Sequence, residues 1–212
     1  MGIVHIPRTA AAIIRGMAKR RLSPLTKQEK SLVGLGANPP HIYSSRAGLF
    51  DVDLMMHMNN ASYLTHAELA RWEWTAFSGL LPASLKTKSY FIVTASILRF
   101  RREIAPLKKF EIETRGGKID DRNLWVYQTF HSPNSNGERS KVLCQVFTQG
   151  VMTNKGKVIN PREWLADNLP SAKDALDGLT EAPLFDEKAT QFTKLEDALR
   201  RSAALHDDKV TK

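Results

Sequence analysis

The chain has a single cysteine in 212 residues, Cys144. No intrachain disulfide and no thiolate-rich metal site can form, and a reducing compartment or an organelle lumen is compatible with this. Cys144 sits in the strand-like run Lys141-Val-Leu-Cys-Gln-Val-Phe147. It reads there as a small buried hydrophobe, so no catalytic thiol is expected. Long apolar runs are also missing. The stretch from Phe91 to Leu98 is broken by Thr94 and Ser96, and it falls far short of the ~20 residues that a membrane span needs. A soluble or peripheral protein is expected, and no internal repeat or long low-complexity tract is evident.

Acidic residues are missing from the first 28 positions, which carry Arg8, Arg15, Lys19, Arg20, Arg21 and Lys27. Ile6, Ala10, Ile13, Ile14 and Met17 recur there at helical spacing, while Arg8, Arg15 and Lys19 fall toward another side, so a basic amphipathic helix is predicted. Mitochondrial presequences have this character, although this segment is poor in serine. The other reading is a surface or membrane-interface helix of the mature protein, which leaves mitochondrial, cytoplasmic and peripheral-membrane residence open. Ile6 stands where a myristoylation motif wants Ser or Thr, so Gly2 is not read as a lipid anchor. Asn38-Pro39-Pro40 closes the segment as a linker.

The rest has ordinary globular composition, 42% hydrophobic and 25% charged. Periodic apolar segments form one set between Ile42 and Leu165, which predicts one domain over residues 41–169. A basic segment and linker (1–40) precede it, and a polar tail (170–212) follows, with Lys194 to Arg201 as its convincing helical piece. The formal net charge of +9 speaks to partners and solubility rather than to one ligand. Its clusters join no helix-turn-helix, zinc-finger or aromatic-plus-glycine pattern, so nucleic acid is not an expected partner.

A plausible strand runs from His41 toward Asp51. Asn59 and Asn60 are natural N-caps for a helix in which Ala61, Leu64, Ala67, Leu69, Trp72 and Phe77 form the apolar pattern, with Gly79 and Pro82 as the stop. Its many apolar and aromatic positions predict burial on more than one side. Strands are predicted over Tyr90 to Arg102, Lys108 to Ile119, Asn123 to His131 and Ser140 to Thr153. Gly116-Gly117 allows a bulge, Asp120-Asp121 a tight turn, Ser132 to Gly137 a hairpin loop, and Asn154-Lys-Gly156 a second hairpin before a short helix at Pro161. A strand, a long helix and then hairpin-linked strands make an α+β order without βαβ alternation, which disfavours a Rossmann-like sheet.

Asp51, Asp53, His57, Asn59 and Asn60 crowd ten residues at the strand-to-helix junction. A helix N-terminus offers unpaired amides and partial positive charge, which suits an oxyanion. An adjacent carboxylate can activate water or attack a carbonyl. Glu68, about two helical turns beyond Asn60, offers a second carboxylate on a similar face. Taken singly, the aspartates also read as caps, and Glu68 as a surface residue paired with Arg71.

The string Asp51-Val-Asp-Leu-Met-Met-His-Met-Asn-Asn-Ala-Ser-Tyr-Leu64, followed by Glu68-Leu-Ala-Arg71, resembles the signature of 4-hydroxybenzoyl-CoA thioesterase-like hotdog proteins. It also resembles plant-type acyl-carrier-protein thioesterases, and looks nearest to the eukaryotic subgroup called thioesterase superfamily member six. The resemblance implies a hotdog fold, an antiparallel sheet wrapped around a long central helix, and hydrolysis of an acyl-CoA without metal or cofactor. It implies Asp53 as catalytic base or nucleophile, His57 and Glu68 as catalytic partners, and Asn59-Asn60 as the carbonyl-polarising helix start. Met55 stands where the plant-type enzymes carry an asparagine of their catalytic network, and a methionine cannot replace its hydrogen bonds. A dehydratase-type hotdog would carry a different His-centred pattern with Gly-Pro turns. Arg99 and Arg101, in the cluster with Arg102, Lys108 and Lys109, are candidates for the phosphates of coenzyme A or an acidic carrier protein. A homodimer or dimer of dimers is implied, with acyl sites at the subunit interface. The alternative function is a catalytically weak hotdog protein that binds acyl thioesters or partner proteins.

Overall fold

In the computed structural model, residues 2–36, 38–133 and 139–169 are described, together with residues 187, 189–195, 197, 198 and 201. The elements in chain order are α1 (Gly2–Leu22), α2 (Lys27–Leu32), β1 (His41–Arg46), a 3-10 turn (Leu49–Asp51), α3 (Asn60–Ser78) and α4 (Leu80–Thr87). There follow β2 (Ser89–Phe100), β3 (Lys109–Ile119), β4 (Asn123–Pro133), β5 (Arg139–Asn154), β6 (Lys157–Ile159) and α5 (Pro161–Asn168). The strands form one antiparallel sheet in the order β1-β3-β4-β5-β2, with β6 paired to β5. The predicted hotdog architecture is what forms, with α3 as the central helix.

Local chemistry accounts for most boundaries. The β3–β4 register shifts between Gly116 and Ile119, where the paired glycines allow a bulge. Lys155 and Gly156 take positive φ, 49° and 78°, and close the β5–β6 hairpin. Asn160 then caps α5, accepting from the amides of Arg162 and Glu163, with Pro161 in the first turn. The predicted Ser132–Gly137 loop lies mostly outside the described residues. Pro82 is not the stop of the long helix. Gly79 alone ends α3 in the left-handed region, φ 92°, and Pro82 sits in the first turn of α4, where its missing N–H costs nothing.

The inner face of the sheet carries Phe110, Ile112, Phe130, Cys144 and Val146, which pack with Tyr63, Ala67 and Ala70 of α3. Burial pushes the Cys144 thiol up to about 12, so it stays protonated, as its apolar setting predicted. Neighbouring strand residues point to opposite faces. Val126 accordingly joins Trp74 of α3, while Trp125 joins Phe147 on the outer face, where Ala189 and Phe192 of the C-terminal segment cover it. That part of the tail is docked rather than solvated.

The sequence leaves α1 open between a presequence and a surface or membrane-interface helix. The helix packs along α3, with its basic side inward. Arg15 and Lys19 both donate to Glu73, the latter at 2.6 Å, and Glu73 is fully buried. Arg8 donates to Asp51 at 2.9 Å, and Arg20 to the carbonyl of Phe77. Contacts of Arg8 with His66, Arg15 with Glu73 and Arg20 with Phe77 advance together, so the two helices run in the same direction. Gly16 permits the approach, because a Cβ there would lie 2.4 Å from the Glu73 carbonyl oxygen. The polar stripe is buried because α3 presents a carboxylate on its outer side, and a carboxylate without water needs cations.

His41, at the start of β1, is buried with neither ring nitrogen hydrogen-bonded, and its Nε2 lies 3.6 Å from Glu73. Burial, with Lys19 and Arg15 nearby, lowers its pKa to about 3. The unfolded chain therefore binds a proton that the folded chain refuses between about pH 6.5 and pH 3, and stability falls as pH drops through that window. Urea unfolding at pH 7 and pH 5 is expected to show a loss of about 2 kcal/mol that His41→Leu removes. An equal loss in the variant would contradict this origin.

Candidate functional site

The Asp51–Asn60 segment folds as a small closed loop. Val52 and Met58 form an isolated antiparallel bridge, and the Asp53 amide donates to the His57 carbonyl at 3.0 Å. Met56 turns the chain with φ 59°. Met58 is buried and its amide donates to the Ile104 carbonyl at 2.8 Å, which pins the returning strand to the core. Asn59 caps α3, accepting from the Ser62 amide at 2.9 Å, and its Nδ2 donates to the Asp51 carbonyl at 3.2 Å. Of the two predicted caps Asn59 is the one used. Its side chain is committed to holding the loop, and Asn60 is the first helical residue, with an exposed side chain.

Closure of this loop brings Asp53 and His57 together. His57 Nδ1 stands 3.6 Å from Asp53 Oδ1, and both side chains are about one-third exposed. The Met55 amide donates to the same Asp53 oxygen at 2.9 Å, which orients the carboxylate and leaves Oδ2 open. Among the described residues the amides of Asn60 and Ala61 meet no acceptor, as expected of a helix first turn. A carboxylate beside an imidazole, just ahead of free helix-start amides, can deprotonate water or attack a carbonyl while those amides take the developing negative charge.

Asp51 is a different residue altogether. It is buried, and its carboxylate accepts from Arg8, from the Gly48 amide at 2.9 Å, and lies 3.0 Å from His66 Nε2. Burial alone would raise its pKa, but His66, Gly48 and Arg8 outweigh it and hold the group well below the usual carboxylate range. The Arg8–Asp51–His66 cluster ties α1 to the 3-10 turn and α3, and sequence reading missed it. Its only local trace is His66 on the buried stripe of the helix.

The other candidates scatter. Glu68 Oε1 lies 3.3 Å from His5 Nε2 and accepts from Trp72 Nε1 at 3.2 Å, without contact to Asp53 among the described residues. Arg71 does not bond Glu68. It donates to Gln128 at 2.9 Å beneath the helix, and burial lowers its pKa to about 10. Arg101 follows β2 directly, its amide bonded to Leu143, near Phe100, whose ring lies 5.1 Å from Tyr63 of α3. Arg99 is not brought to the loop. It lines a groove on the outer face with Tyr127, Phe147 and Phe192. Exposed Leu54, Met55 and Met56 make the loop tip apolar.

Residues 48–169 match the family model of the Thioesterase-like superfamily. Protein THEM6 of Danio rerio is 29% identical over 158 residues, 74% of this chain and 76% of the relative. Protein THEM6 of Xenopus laevis is 36% identical over 90 residues, 42% of this chain and 44% of the relative. Among solved structures, the probable thioesterase YbaW of Escherichia coli superposes with a TM-score of 0.55 at 18% identity, covering 62% of this chain and 97% of its own. A 1,4-dihydroxy-2-naphthoyl-CoA thioesterase from Synechocystis gives 0.52 at 10% identity, covering 61% and 95%. These two likenesses concern the fold. The loop ahead of α3 falls within the matched span, and with more than half its length covered by the family model this chain belongs to the Thioesterase-like superfamily, whose chemistry at that level is thioester hydrolysis.

Proposed function

We propose that this protein hydrolyses acyl-CoA thioesters to free acid and CoA at the Asp53 loop. The observation that carries the reading is the solvent-open Asp53 carboxylate, paired with His57 and seated just before the free first-turn amides of α3. Asp53 either removes a proton from water as it attacks the thioester carbonyl, or attacks directly. In the second route the C–S bond breaks, CoA leaves as thiolate, and water cleaves the resulting mixed anhydride to regenerate Asp53. The Asn60 and Ala61 amides donate to the oxyanion, and His57 orients the water or substrate. Arg101 supplies a cation toward the phosphates of CoA, and Glu68, held by His5 and Trp72, takes no step in this scheme. No metal or organic cofactor takes part in these steps.

A panel of acyl-CoAs of different chain length and aromatic character, followed by free-thiol detection, tests this reading against Asp53→Asn. Turnover of at least one substrate by the wild type and its loss in the variant are expected. The second reading is a hotdog protein that binds thioesters or partner proteins without efficient catalysis. The apolar loop tip favours it, since Met55 offers no hydrogen bond where a catalytic amide would serve. Wild-type turnover no greater than that of Asp53→Asn across the panel would select it.

We also infer a homodimer built through β2. That strand is an edge of the sheet and exposes Tyr90, Ile92, Val93 and Ile97, and an unpaired apolar edge calls for a cover. Sedimentation equilibrium is expected to give twice the 23.8 kDa chain mass, whereas a monomer at micromolar concentration would contradict it. For residence, the mitochondrial proposal rests on α1 as a cleaved presequence, whereas retention of α1, whose removal would strip Glu73 of its cations, favours the cytoplasmic or peripheral-membrane alternative. N-terminal sequencing of the protein from fractionated cells tests both points.

A further inference from the structure

We propose that the outward stripe of α1 lies on the surface of an anionic lipid membrane; this goes beyond the thioesterase reading and does not depend on it. Arg8, Arg15, Lys19 and Arg20 are engaged with the 3-10 turn and α3, so the side left to solvent is mainly apolar. Ile6, Ala10, Ile14 and Met17 fall on that side, and Ile14 and Met17 are 65% and 58% exposed. Leu22 and Leu25 extend the exposed apolar surface beyond the end of α1, and Phe50, also exposed, lines a pocket with Ala11 of the same helix. Among the described residues none of these side chains packs into a core cluster.

Charge selects the occupant. Arg21 and Lys27 are exposed and have no acidic partner among the described residues, and the first acidic residue of the chain is Glu29. A second copy seated on this stripe would set one acid-free basic helix against another, which like-charge repulsion disfavours. An anionic membrane surface satisfies both features, taking the apolar side chains at the headgroup boundary and the cations among the phosphates. No helix among the described residues is long and apolar enough to cross a membrane, so the attachment is a surface one. Because Arg8 of α1 holds Asp51, two residues before Asp53, attachment would keep the Asp53 loop near the membrane.

Vesicle flotation of the full chain tests this. Phosphatidylcholine vesicles with roughly 30% phosphatidylserine are expected to carry the protein, and pure phosphatidylcholine vesicles on the order of tenfold less. Ile14→Ser with Met17→Ser is expected to reduce binding to the anionic vesicles on the order of tenfold. Its melting temperature should stay unchanged, since both side chains are exposed. Absence of flotation with anionic vesicles, or equal flotation of the double variant, overturns the proposal. So does a double variant whose sedimentation mass falls while its flotation stays the same, because a second copy would then be the occupant.

Discussion

Arg15→Met combined with Lys19→Met is expected to destabilise the fold by about 3–5 kcal/mol, because it leaves the fully buried Glu73 carboxylate without a cation. The reasoning is asymmetric. Arg15 and Lys19 are each about 40% exposed and could turn to water if Glu73 were lost, but Glu73 has no route to solvent. His41, 3.6 Å away, could offset the charge only by taking a proton, which its burial opposes. Adding Glu73→Leu should restore most of the loss, since an apolar side chain of similar volume replaces a stranded ion. Chemical denaturation of the wild type, the double and the triple variant reads this directly. A double variant within about 1 kcal/mol of wild type would mean that α1 is not held through Glu73.

Asp53→Asn is expected to lower acyl-CoA hydrolysis by roughly 10²–10⁴-fold, with folding unchanged. The amide is isosteric, and its oxygen can still accept from the Met55 amide, so the loop should close as before. What disappears is the basic and nucleophilic oxygen. Steady-state rates with the best substrate of the panel, together with matched thermal melts, separate the two effects. A variant that keeps more than about a tenth of wild-type turnover would remove Asp53 from the reaction and return attention to the apolar, binding-only reading.

Most of the sheet was legible because its signals are local. Strand periodicity, the Gly116-Gly117 bulge and the Asn154-Lys155-Gly156 turn depend on residues close together in sequence, and they fall where predicted. The same holds for the start of α3, where Asn59 caps, and for its end at Gly79. The site loop was legible as a place, a crowd of polar groups before a capped helix. What each group does there was not, because Asp51 and Asp53 differ only in what surrounds them. The neighbours that settle the matter, Arg8 and His66, come from 43 residues before and 15 residues after Asp51.

The amphipathic character of α1, the order of the elements and the position of the acidic cluster ahead of a helix were determined by the sequence itself, through spacing, caps and turn residues. Tertiary structure alone decided which side of α1 is buried. Periodicity marks an apolar side without deciding which side turns inward, and a carboxylate at Glu73 and a close approach at Gly16 draw the basic side in. Tertiary structure also decided that Asp51 is held by ion pairs while Asp53 stays open, and that Arg99 faces away from the loop. In each case the deciding partner is distant in sequence, and burial or pairing of a charge is a property of the assembled environment rather than of the residue.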